Sequence, residues 1–170
     1  MPRSVLALLL LPFLPLRAQA PDPLDWRFSS DSPRPVVLAG QDSVKAELEI
    51  DDTTPVLGLA VDLNGDGHRD LIVRSAPSLC GASGNCSFAV LDGAMNRVVG
   101  GLGGNLVVVR SRRIGGWPVM QTWWHTSAGS GIYTTYVFDG VRYITVASVP
   151  VEGEGLESLF RELNQIPQGP

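Results

Sequence analysis

From Pro55 onward the chain alternates between short apolar runs and Gly-rich or polar breaks. Val56–Val61 is mostly apolar and leads directly into Asp62. Leu71–Val73 leaves the polar segment that follows, so the pattern predicts a strand–loop–strand unit. Ser87–Leu91, Arg97–Val99, Leu106–Val109, Trp117–Trp124, Ile132–Phe138 and Val141–Val146 continue the series. Asp92-Gly93 and Asp139-Gly140 are turn signals, and Gly100, Gly101, Gly103 and Gly104 break the middle of the run. Short strands at this spacing predict an all-β or β-dominated antiparallel domain.

Two segments depart from this rhythm. Val44, Ala46, Leu48 and Ile50 alternate, which reads as a strand over Val44–Ile50 with a short helix as the alternative. Leu156, Leu159, Phe160 and Leu163 recur at helical spacing, predicting a short amphipathic helix over Gly155–Asn164.

The N-terminus changes the picture of the compartment. Arg3, the apolar stretch Val5–Leu16 and Ala18-Gln19-Ala20 have the three-part layout of a secretory signal peptide, with cleavage after Ala20. The apolar stretch is too short for a membrane-spanning helix, and no other stretch is long enough. The expected organisation is a signal peptide at 1–20, a flexible Pro/Ser/Asp-rich lead-in at 21–35, and one β-rich domain at 36–170. A periplasmic or secreted location follows. Removing Arg3 and Arg17 takes the 13 basic residues to 11 against 17 acidic ones, a net charge of −6. Such a domain does not attract nucleic acid. Cys80 and Cys86 are the only cysteines, and an even count in an exported chain predicts one disulfide. Asn85-Cys86-Ser87 also fits a glycosylation sequon.

The candidate chemistry lies in Asp62-Leu63-Asn64-Gly65-Asp66-Gly67-His68-Arg69-Asp70. Asp62, Asn64, Asp66 and Asp70 offer oxygen donors, and the His68 carbonyl is a fifth, as hard cations such as calcium require. Gly65 and Gly67 let the chain wrap sharply. The position where an EF-hand loop carries its closing Glu is Val73, so Asp70 must close the site earlier. Three carboxylates within nine residues repel one another without a counter-ion.

The segment Asp62–Val73 resembles the calcium loop of FG-GAP and VCBS-type repeats, as in the integrin-alpha β-propeller. That resemblance implies calcium held by Asp62, Asn64, Asp66, the His68 carbonyl and Asp70, between two strands of a propeller-blade-like hairpin. One loop in a chain this short is not a full propeller. The Cys80–Cys86 segment and Tyr136-Val137-Phe138-Asp139-Gly140-Val141-Arg142-Tyr143 are also similar to small bacterial periplasmic proteins with no assigned activity.

Other constellations are weaker. Trp117, Trp123, Trp124, His125, Tyr133 and Tyr136 crowd one region and form a candidate platform for a glycan or protein partner; the alternative is sheet core. His125, Ser127, Ser130 and Asp139 make no recognisable hydrolase motif. Arg110, Arg112 and Arg113 are either an anion site or a solvated strand face. The expected function is an exported calcium-binding module and not an enzyme; an envelope enzyme or enzyme inhibitor is the alternative.

Overall fold

The computed structural model describes residues 25–28, 34–36, 42–51, 53–54 and 56–169. The expected signal peptide lies outside the described residues. Among the described residues, ten strands form two five-stranded antiparallel sheets, accompanied by two α-helices. In the first sheet, β2 (Arg34–Val36), β3 (Val56–Val61), β4 (Asp70–Ser75), β5 (Cys86–Asp92) and β6 (Arg97–Gly104) lie in that order. In the second, β1 (Trp26–Phe28) is followed by β7 (Leu106–Ile114), β8 (Trp117–Ser127), β9 (Ser130–Phe138) and β10 (Tyr143–Glu152). Strands β3–β6 and β7–β10 are two successive up-and-down meanders. The β-dominated architecture is therefore as the sequence predicts.

The two sheets share one core. Ile72, Phe88 and Val90 of the first sheet cluster with Val107, Val109 and Met120 of the second. Phe28 and Phe88 meet edge to face across it, with ring centroids 5.9 Å apart. The outer faces are covered too. Leu106, Val108 and Trp123 pack against Leu156 and Leu163 of α2 (Gly153–Gln165). Ala89 and Leu91 pack against Val44 and Leu48 of α1 (Asp42–Leu48). Thus Phe88–Leu91 of β5 and Leu106–Val109 of β7 are continuous apolar stretches because both faces of the sheet are buried there.

Several expectations need correction. Val44–Ile50 is not a strand: Val44 and Leu48 stand one helical turn apart and are both buried against the first sheet. The helix ends at Glu49, whose φ is +54°. The 21–35 lead-in is partly structured, because the apolar pair Trp26 and Phe28 seals the core from an edge strand on β7. Arg34–Val36 pairs with β3 in the same manner. The glycines after Val99 do not interrupt β6, which runs on to Gly104. They allow close approach instead. A Cβ on Gly100 would lie 2.9 Å from the Cβ of Tyr143. At Gly104, where the chain crosses between sheets, φ is +149° and a side chain would collide with the Trp123 carbonyl.

Candidate metal loop and surrounding sites

Asp62–Arg69 is the connection of the β3–β4 hairpin, closed where Val61 pairs with Asp70. Gly65 and Gly67 have φ of +80° and +87°, the left-handed conformation that favours glycine. The loop's oxygen-bearing side chains are oriented by its own amides. Asp62 accepts hydrogen bonds from the N–H groups of Gly65 at 2.7 Å and Gly67 at 3.0 Å. Asn64 Oδ1 accepts from Asp66 N at 3.0 Å, and Asn64 Nδ2 donates to the Asp66 carboxylate at 3.0 Å. Asp66 accepts from His68 N at 2.7 Å, with the imidazole Nδ1 3.3 Å away. The His68 amide and Asn64 hold the Asp66 carboxyl below its ordinary range.

Asp70 differs from these rim residues. It is fully buried. Its oxygens accept from Leu63 N at 2.8 Å and Gly93 N at 2.9 Å. It therefore ties the start of the loop to the β5–β6 turn. Burial pushes its pKa up, the amide bonds oppose that, and the charge of Asp66 adds to the rise. Gly93 is packed so tightly that a Cβ would collide with the Arg69 carbonyl. Arg113 reaches in from the second sheet, donating from Nη1 to the carbonyls of Leu63 and, at 3.0 Å, Gly116. The charge of Asp70 also reaches Tyr143: burial raises the phenol's pKa first, and Asp70 raises it further.

Among the described residues no three His, Cys, Asp or Glu side chains converge as a ready ligand group. The donor set nevertheless fits a hard cation in kind. An ionised carboxylate has about four lone-pair sites, so accepting two amides leaves capacity for a metal. Asn64 and a backbone carbonyl are also oxygen donors suited to calcium.

The aromatic platform does not assemble. Trp117 is buried between the sheets with Phe138 and Tyr143, whereas Trp123 is buried on the opposite face under α2. His125 stacks on Phe160 of α2 with ring centroids 6.3 Å apart. Tyr133 donates to Gln121 at 3.0 Å, and Tyr136 packs against the core. Of this group, only Trp124 is substantially exposed, at 42 %. Ser127 and Ser130 hydrogen-bond each other at 2.7 Å.

Arg110 is neither a free anion site nor a solvated residue. It bonds Asp25 at 2.9 Å, Glu162 at 2.8 Å, Tyr133 at 3.2 Å and Gln121. Cys80 and Cys86 form the expected disulfide. Asn85 is buried, its Nδ2 donating to Ser83 Oγ and His125 O at 2.8 Å while its Oδ1 accepts from His125 N at 2.9 Å. The sequon nitrogen is thus already engaged. The sequence marks Gly93 only as a turn residue, Asn85 only as part of a sequon and Arg113 only as a candidate anion ligand; their contacts with Asp70, His125 and Leu63 join distant parts of the chain and leave no local signal.

No protein-family model matches the chain, and no curated protein or solved structure matches it. Two coarser features bear on location. The disulfide fits an oxidising compartment, and no helix among the described residues is long and apolar enough to cross a membrane.

Proposed function

We propose that this protein is an exported calcium-binding module in which the ion orders the β3–β4 loop. The observation that carries the reading is the series of backbone amides aiming the oxygens of Asp62, Asn64 and Asp66 within one short loop. Asp62, Asn64, Asp66 and Asp70, with the His68 carbonyl, would hold the ion. Calcium would neutralise carboxylates that otherwise repel, one of them buried. Because the loop joins two core strands and contacts the β5–β6 turn, binding stabilises the whole domain and not only its rim. With Trp117 and Trp123 buried, any protein or glycan contact through the aromatic region falls to Trp124.

The test is calorimetric titration with calcium and with magnesium, together with thermal melts in calcium and in chelator. A calcium-dependent rise in Tm that disappears in Asp66→Ala is expected. Identical melts in calcium and chelator would sink the reading.

A further inference from the structure

The disulfide lies at the opposite end of β4 from the Asp62–Arg69 loop, and its environment is unusual. Arg74 pairs with Phe88 across β4 and β5, so Cys86, two residues before Phe88, is its diagonal neighbour on the same face. A long side chain spans that diagonal. Arg74 Nη1 lies 3.6 Å from Cys86 Sγ, and both residues are buried, at 3 % and 5 % exposure. Cys80 is only partly buried. The two sulfurs therefore differ in both access and charge environment.

We propose that Cys80–Cys86 is a thiol-exchange site in which Cys80 is the sulfur attacked and Cys86 the leaving group, with Arg74 beside it. A thiolate from an external thiol attacks Cys80 Sγ. A new S–S bond forms to Cys80, the Cys80–Cys86 bond breaks, and its electron pair leaves on Cys86. A cation beside a thiol favours the thiolate, and a more acidic leaving thiol departs faster. The Arg74 guanidinium supplies that cation at the buried sulfur. The Gly84 carbonyl oxygen, 3.5 Å from Cys86 Sγ, opposes a thiolate there, but only as a dipole. A second external thiol then attacks the mixed disulfide, giving the oxidised reductant and releasing Cys80. Once released and protonated, the Cys80 thiol can donate a hydrogen bond to the Ala76 carbonyl, 3.7 Å from Cys80 Sγ.

The surrounding hydrogen bonds make the exchange reversible. Gly81 N donates to Asn85 O at 3.0 Å and Gly84 N to Gly81 O at 2.7 Å, so the hairpin has bonds of its own. Asn85 fastens it to β8 through both the N–H and the carbonyl of His125. The cysteines thus stay close after reduction and can re-form the bond.

The experiment is equilibration of the full protein with dithiol redox buffers, comparing the native chain with Arg74→Met and Arg74→Lys. Arg74→Met is expected to be about tenfold harder to reduce, equivalent to about 30 mV for a two-electron couple, with Arg74→Lys close to native. Equal reduction of Arg74→Met and the native chain overturns the proposal. Should Arg74→Met not fold, the thiolate absorbance of Cys80→Ser decides. A Cys86 titration midpoint below the free-cysteine value of about 8.5 supports it, and one at or above that value overturns it. Mass spectrometry of the mixed disulfide formed with a monothiol is expected to find the adduct on Cys80; an adduct on Cys86 overturns the assigned direction.

Discussion

Asn85 acts as a two-pronged clamp, because one side-chain amide satisfies both the N–H and the carbonyl of His125. It does for β8 what a neighbouring strand would do. Asn85→Ala leaves those groups inside a partly buried contact without their partner, at a cost of about 1–3 kcal/mol. Chemical denaturation at constant m-value checks this. Asp25 gives a second prediction. Burial pushes its carboxyl up, but the Ser111 amide and Arg110 outweigh that and hold it below its ordinary value of 3.8. A depressed folded pKa means its contribution is complete above that value and fades as pH falls through the folded one. Asp25→Asn is therefore expected to be less stable than the native chain near neutrality, by under about 1 kcal/mol for a half-buried pair that solvent still screens. The gap should close in strong acid. A gap of the same size at every pH would contradict this account. Neither partnership is legible in sequence, since Asp25 and Arg110 are 85 residues apart and Asn85 and His125 are 40 apart.

At the scale of elements, the helices supply outer layers. Leu163 is 1 % exposed on the buried stripe of α2. Leu163→Ala is expected to cost about 2–5 kcal/mol, read by denaturant unfolding. An outcome below 1 kcal/mol, roughly, would mean the helix is not part of the cooperative unit. The β5–β6 turn yields another test. Gly93→Ala must push the Arg69 carbonyl away, and the shift passes directly to Asp70, whose carboxylate receives Gly93 N. A lower Tm and weaker calcium affinity are expected together, measured by thermal melts and calorimetry. The helix over 153–165 is readable because Leu156, Leu159, Phe160 and Leu163 keep helical spacing through two turns. The helix α1 was ambiguous because its seven residues fit a strand and a helix equally by periodicity. Only its seat over Ala89 and Leu91 selects the helix.

For the whole molecule, four layers stand in order: α1, the β2–β6 sheet, the sheet of β1 and β7–β10, and α2. The Asp62–Arg69 loop and the disulfide hairpin occupy opposite ends of β4. Saturating calcium is therefore expected to raise Tm without changing the disulfide's reduction potential. A calcium-dependent potential, measured in the same redox buffers, would reveal coupling through the sheet. By itself the sequence determined the strand rhythm, the antiparallel hairpins, the loop's oxygen donors and left-handed glycines, and the cysteine pair. Those are local properties, set by residue type and short spacing. The tertiary structure alone decided that two sheets stack, and that Trp117 and Trp123 are sealed on opposite faces of one strand. It also decided that Asp70 is buried beneath its loop and Arg74 lies against a sulfur. Each of these depends on which surfaces meet across long stretches of chain, and periodicity within a strand carries no record of the partner facing it.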